Sequence, residues 1–181
     1  MRKQKELNVI LSILVTVAVL LVGLPFALTG QKNMTGEVPE VEKTDAVTCI
    51  AEGKRYPYLE SKIDEVGRKI QVDMKFDEGE VEVMGLRYDV EYANDGRASE
   101  AFEMLTPELS TVMGKNGAST QMAANARLAK NGNHVLMVLF LPKDDMSSAN
   151  AKMMMIESEE VVARGRESLV ENYTRQSFNC D

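Results

Sequence analysis

His134 is the only histidine among the 181 residues, and histidine is the side chain best suited to proton transfer near neutral pH. A catalytic histidine needs a nucleophile and an orienting acid close to it. The sequence has no G-x-S-x-G motif to supply the nucleophile, and no Walker A, G-x-G-x-x-G or H-E-x-x-H motif. His134 follows an Asn131-Gly132 turn, where a surface or packing role is usual. We predict no catalytic residue and keep an envelope hydrolase with an unrecognised site as an alternative.

Two groups of side chains have the chemistry to bind metal ions. Asp77-Glu78-Gly79-Glu80 and Asp144-Asp145 offer oxygen ligands for Ca²⁺, but neither has EF-hand spacing. Twelve methionines, including Met153-Met154-Met155, offer thioethers that bind Cu(I). Several methionines fall on apolar faces of predicted strands, where methionine is a flexible core filler: Met74, Met84, Met122 and Met137. We predict no metal site and no cofactor, and keep a methionine-based copper-handling protein as a second alternative.

The two cysteines are far apart in the chain. Cys49 lies in an early strand-forming segment, and Cys180 is the penultimate residue. Because paired thiols usually oxidise outside the cytoplasm, we predict a Cys49–Cys180 disulfide that ties the C-terminus to the first strand. Closing so long a loop contributes about 4–5 kcal/mol in the chain-entropy model. The C-x-x-C spacing of a thioredoxin-like redox pair is absent.

Two Asn-x-Thr triplets, at Asn33 and Asn172, match the N-glycosylation signal. Their use depends on the source organism, because such triplets carry no meaning in most bacterial chains.

An apolar N-terminal segment predicts the location of the protein. No charged side chain lies between Glu6 and Lys32, and about 20 apolar residues suffice to cross a membrane as a helix. Three basic residues precede the segment and acidic residues predominate after it, so the positive-inside rule leaves the N-terminus in the cytoplasm. We predict a cytoplasmic tip at residues 1–7 and an uncleaved signal-anchor helix at 8–29. A cleaved signal peptide, whose apolar region is about 7–15 residues long, is the alternative.

Residues 30–44 are polar and contain Gly and Pro, which predicts a linker or stalk. Residues 45–181 then predict one extracytoplasmic domain. Alternating apolar residues from Ile70 to Phe76 and from Met84 to Tyr92 indicate two strands. The apolar residues of the second strand change from odd to even positions beside Gly85, which predicts a bulge there. Weak alternation from Met122 to Leu128 suggests another strand.

Val135–Leu141 is apolar at every position, which is typical of a strand covered on both faces or at the centre of a sheet. Helical spacing predicts one helix at Ala98–Met113, kinked or split by Pro107, and another at Glu159–Arg175. A shorter helix follows the capping serines Ser147 and Ser148. The order β-ββ-α-ββ-α predicts an α+β fold in which helices pack on one face of an antiparallel sheet.

Several segments together resemble the YehR-like family of small bacterial envelope lipoproteins of unknown function: VTCIAE, KIQVDMKF with VEVMGLRYDVEY, ASEAFEML, AKNGNHVLMVLFL and YTRQSFNC. The resemblance covers nearly the whole predicted domain, although the lipid-bearing cysteine at the membrane exit is absent. It implies an extracytoplasmic domain and supplies no catalytic residues.

The charge of the chain separates into two parts. The net charge is -7, and residues 1–30 carry three basic and one acidic side chain, or +2, which leaves -9 for residues 31–181. An acidic outer domain disfavours binding to nucleic acid. We expect a non-catalytic binding or accessory protein of the cell envelope, held by its membrane helix, whose partner is another envelope protein.

Overall fold

Alternating apolar residues form the strands of this domain, and apolar residues three or four apart form its helices. The computed structural model describes residues 45–181. The strands are β1 (Asp45–Glu52), β2 (Glu65–Asp77), β3 (Glu80–Tyr92), β4 (Arg127–Asn131), β5 (His134–Pro142) and β6 (Asn179–Cys180). The helices are α1 (Asp95–Lys115), α2 (Thr120–Asn125), α3 (Ser148–Met153), α4 (Glu159–Ala163) and α5 (Arg166–Arg175), with a 3₁₀ turn at Lys143–Asp145.

The predicted tip (1–7), membrane helix (8–29) and linker (30–44) lie outside the described residues. Within residues 45–181, none of the helices has the length and apolar character needed to cross a membrane.

One antiparallel sheet contains all six strands, in the order β4-β5-β3-β2-β1-β6. Alternate residues of the long strands, such as Val72, Leu86 and Leu139, are buried together with apolar residues of the helices. This pattern places the helices against one face of the sheet. The predicted α+β class with an antiparallel sheet is confirmed.

The β2–β3 hairpin is confirmed, but its bulge is not where the sequence placed it. The register skips Glu82, so Val81 and Met84 are both buried although they lie an odd number of positions apart, and a second irregularity skips Val66 near the other end of the hairpin. The predicted bulge at Gly85 is wrong, since Gly85 pairs regularly with Asp73.

Helix α1 extends the predicted span at both ends. Its N-cap is Asn94, whose side chain accepts a hydrogen bond from the Arg97 amide at 3.0 Å. Pro107 does not split the helix, because this residue is exposed and water can reach the carbonyl that loses its partner.

The predicted strand at 122–128 is wrong over most of its length. Ser119 caps α2 by accepting a hydrogen bond from the Met122 amide at 3.0 Å, and β4 begins only at Arg127. So short an apolar pattern fits a helical turn as well as a strand.

The predicted C-terminal helix is two helices. Gly165 has φ +79°, a non-helical conformation that separates α4 from α5. The Arg166 amide donates to the Gly79 carbonyl oxygen at 3.1 Å, so the helix junction packs directly on the β2–β3 turn.

Strand β5 is confirmed, and the β4–β5 hairpin turns at Gly132 with φ +56°. The two-sided cover predicted for its apolar run is not observed among the described residues. Val135, Met137 and Leu139 are buried, whereas the residues between them face the side of the sheet away from the helices. The strand also lies next to the edge strand β4, not at the sheet centre.

Candidate functional site

The sheet face that the described helices leave uncovered is the candidate site. We call it the open face. Cross-strand register assigns to it alternate residues of the four longest strands. They are Thr48 and Ile50 on β1; Lys69, Gln71 and Asp73 on β2; Gly85, Arg87, Asp89 and Glu91 on β3; and His134, Leu136, Val138 and Phe140 on β5.

The half of the open face near β5 is apolar. Leu136, Val138 and Phe140 form a column along the strand, and Phe140 is 44% exposed. Gly85 lies directly opposite Phe140, and a Cβ at Gly85 would meet no atom within 4 Å. Because Gly85 has no side chain, there is open space beside the exposed Phe140 ring, and we call this space the hollow. Leu136 and Val138 are half-buried, and Phe140 is the exposed end of the column. Contiguous apolar patches rimmed by polar residues mark interaction sites.

The half near β2 is polar and internally hydrogen-bonded. Asp73 accepts hydrogen bonds from the Thr48 hydroxyl at 2.9 Å and from the Gln71 amide at 2.9 Å. The Arg87 guanidinium lies 3.5 Å from the same carboxylate. These contacts hold the polar side chains in place next to the apolar column.

His134 lies on the open face with one carboxylate partner. Its Nδ1 is 2.9 Å from Asp89 Oδ1, and both side chains are about two-fifths exposed (42% and 41%). The residues opposite His134 on neighbouring strands are Glu91 and Asn131. The register therefore supplies an acid for the histidine but places no hydroxyl or thiol beside it, and nothing in this arrangement points to catalysis.

The two acidic clusters singled out in the sequence each have one carboxylate bound to another side chain. Glu80 forms an ion pair with Lys143 at 2.5 Å, which lowers the pKa of that carboxyl and raises the pKa of the lysine. Asp145 accepts a 2.5 Å hydrogen bond from the Ser119 hydroxyl. Within residues 45–181, no three His, Cys, Asp or Glu side chains gather as a metal site would require.

The methionine run forms a buried turn after α3. Met153 and Met154 are fully buried, and Met155 has φ +62°. The Tyr56 hydroxyl donates to the Met153 carbonyl at 2.8 Å, and the Tyr173 hydroxyl donates to the Met154 carbonyl at 2.6 Å. The thioethers pack in the core, and the backbone of the turn is held by two phenols.

Burial of Tyr173 makes this turn sensitive to alkali. Burial raises the pKa of Tyr173 well above its ordinary value, so the folded chain keeps a proton that the unfolded chain loses near pH 10. The stabilisation is therefore present below about pH 10 and falls by about 1.4 kcal/mol per pH unit above it.

We expect Tyr173→Phe to remove this part of the slope, in denaturant titrations from pH 9 to 11. The same variant should lower the free energy of unfolding by about 1 kcal/mol at pH 7, because the hydrogen bond from Tyr173 to the Met154 carbonyl is lost. An unchanged slope would contradict this origin.

Asn172 closes the same turn from α5. Its buried amide accepts from the Glu157 backbone N–H at 3.2 Å and donates to the Met155 carbonyl at 3.2 Å. An amide with 0% exposure cannot carry a glycan in the folded domain. Asn33 lies outside the described residues.

We expect Asn172→Ala to lower the free energy of unfolding by about 1–3 kcal/mol, because the Glu157 backbone N–H loses its acceptor and the buried Met155 carbonyl, which also accepts from Gln176, loses one of its two side-chain donors. Thr174→Ala, at an exposed position of α5, is the matched control and should change it by less than about 0.5 kcal/mol. Urea unfolding of both variants gives the comparison. Equal effects would show that the turn does not depend on Asn172.

The predicted disulfide is present. Cys49 and Cys180 are opposite each other in the β1–β6 pair, with Cα atoms 4.0 Å apart. The Asp181 amide donates to the Thr48 carbonyl at 3.1 Å, and Phe178 packs against Tyr173. Strand β6 is too short to be found from its sequence, and only the second cysteine signals it.

A polar cleft of about 200 Å³ lies where the 53–64 loop meets the start of β2. Two of its cations are already paired within the domain. Arg68 lies 3.0 Å from Glu65, and Arg55 lies 2.7 Å from Glu60. The third cation that lines the cleft is Lys62.

Comparison with known proteins leaves the site to be interpreted from its own geometry. The chain matches no known protein family and no curated protein. One solved structure, described as "NMR structure of the protein from Streptococcus pneumoniae TIGR4", is similar at a TM-score of 0.41 and 8% identity. The similarity covers 87% of this chain and 99% of that one.

Proposed function

We propose that this protein is a single-pass, membrane-anchored binding module of the cell envelope, and that its open face docks another envelope protein. The N-terminus lies in the cytoplasm and residues 45–181 lie outside the membrane. The resemblance to the YehR-like lipoproteins is part of the same proposal, because it implies the same compartment.

A single observation carries the proposal. The run Val135–Leu141 is apolar at every position, as strands covered on both faces are, yet the described helices cover only one face. Leaving the exposed part of Phe140 and of the half-buried Leu136 and Val138 in water costs about 25 cal/mol for each Å² of apolar surface, and a docked partner would recover this free energy.

The two alternatives receive less support from the same residues. A hydrolase needs a nucleophile near His134, and the register offers carboxylate and amide neighbours there. A copper site needs accessible thioethers, whereas seven of the methionines are almost fully buried: Met74, Met84, Met113, Met122, Met137, Met153 and Met154.

Photo-crosslinking in intact membranes tests the proposal. We expect a photoreactive residue at position 140 of the full chain to give a discrete adduct with a protein. The same residue at Glu103, exposed on α1, should give none. Resistance of the chain to alkaline carbonate extraction tests its anchor in the same membranes.

A matched variant separates docking from folding. A Cβ at Gly85 meets no atom within 4 Å and the residue has no positive φ, so Gly85→Leu is expected to keep the fold and to abolish the adduct at position 140. The proposal fails if position 140 gives no adduct, or if positions 140 and 103 give the same products.

A further inference from the structure

We infer that the partner of the open face is a second copy of this chain, in a two-fold symmetric, face-to-face dimer. The inference rests on the proposed function and specifies its partner. It is carried by the order of side chains on β3 and β5, which is self-complementary under one two-fold axis.

Two pairs of neighbouring open-face residues define the axis. Arg87 is opposite Val138, and Asp89 is opposite Leu136. A two-fold axis that runs across the strands between these two rows exchanges them. It places Val138 of one copy over Leu136 of the other, and Arg87 of one copy over Asp89 of the other. Isologous contacts require this reciprocity, because each patch meets itself.

The next positions along these rows are also compatible. On β2, Gln71 is opposite Arg87 and Lys69 is opposite Asp89, so an amide meets an ammonium across the axis. One row further out, Phe140 of one copy meets His134 of the other. In these rows no charge meets a like charge, and the apolar columns of β5 cover each other.

The Arg87–Asp89 contact is repeated twice by symmetry, which gives the dimer a charge pattern that mutation can invert. Each group already has a polar partner within its own chain: Asp73 for Arg87, and His134 for Asp89. Facing copies would bring the two pairs together into one network. Opposite charges that meet across an interface select register and exclude wrong orientations.

Complementation between two single variants tests the dimer. Two copies of the full chain with different affinity tags are produced together, and capture of one tag from detergent-solubilised membranes reports the other. Wild-type copies are expected to co-capture. Arg87→Asp paired with itself, and Asp89→Arg paired with itself, should each lose about tenfold or more, because each places like charges over one another twice.

The mixture of an Arg87→Asp copy with an Asp89→Arg copy restores both opposite-charge contacts, and we expect its co-capture to return to near the wild-type level. Arg97→Asp, a charge reversal on exposed α1, is the matched control and should have no effect. If the mixture is no better than the single variants, the dimer is wrong.

A readout without charge variants guards against misfolded mutants. A photoreactive residue at Leu136 of the full chain should yield an adduct of two copies, joined near Val138. An adduct with a different protein would overturn the second-copy inference and leave the proposed function intact. The absence of any adduct at both Leu136 and Phe140 would remove the proposed function as well.

Discussion

Gly165→Ala is expected to lower the free energy of unfolding by about 4 kcal/mol. Gly165 has φ +79° and ψ -155°, a region that only glycine enters readily, and holding another residue there costs about 1–3 kcal/mol. A Cβ at this position would also overlap the carbonyl oxygen of Gly79, a backbone atom that cannot swing away. Relieving such overpacking costs about a further 1–3 kcal/mol.

The matched control is Gly114→Ala. Gly114 lies inside α1, and a Cβ there would meet no atom within 4 Å. Alanine should therefore stabilise the helix by about 0.5–1 kcal/mol. Urea unfolding of the purified chain would compare the two variants. A Gly165 variant as stable as wild type would show that the β2–β3 turn does not pack on the α4–α5 junction.

Removing the disulfide has the other large expected effect. Replacing both Cys49 and Cys180 by alanine should lower the free energy of unfolding by about 4–5 kcal/mol, because 131 residues of the unfolded chain are no longer constrained. The residues that flank β6 keep Phe178 in the core and the Asp181 hydrogen bond, but neither contact constrains the unfolded chain.

Reductant provides the control for this variant. Dithiothreitol should destabilise the wild-type chain by the same amount and leave the double-alanine variant unchanged. Alkylation and intact mass should detect two thiols in the wild-type chain only after reduction. Two alkylated cysteines in the oxidised, denatured chain would refute the bridge.

The sequence predicted the elements whose burial follows a local period. The alternation from Ile70 to Phe76 identified β2 because one face of that strand is buried, and burial repeats every second residue. Cys49 and Cys180 came together as predicted because a chain with two cysteines has one way to form an internal disulfide.

Tertiary contacts decided the features that the sequence missed. Gly165 lies within the single helix predicted at Glu159–Arg175, but its positive φ and the contact of this junction with the Gly79 turn divide that span into two helices. Met122 fitted an alternating pattern, yet the Ser119 cap selects a helical turn. The Gly79 turn is distant from Gly165 in the chain, and the Ser119 cap governs a segment too short for its period to be distinctive.

The candidate site was not predicted from the sequence. Continuous apolarity in Val135–Leu141 predicted a strand covered on both faces or at the sheet centre, and the described helices cover one face. The sequence predicted only a bulge at Gly85. That Gly85 lies opposite Phe140 depends on the register between two strands, which neither strand shows alone. His134 and Asp89 are 45 residues apart in sequence, so their contact had no local signal.

Protection of Phe140 in native membranes tests the central claim most directly. Phe102, a half-buried phenylalanine on α1, provides an internal reference of the same chemistry. Hydroxyl-radical labelling would compare the two rings in native membranes and after solubilisation and dilution. A docked open face predicts that labelling of Phe140 relative to Phe102 rises clearly on dilution. The same ratio in both states, with Phe140 freely labelled, would contradict it.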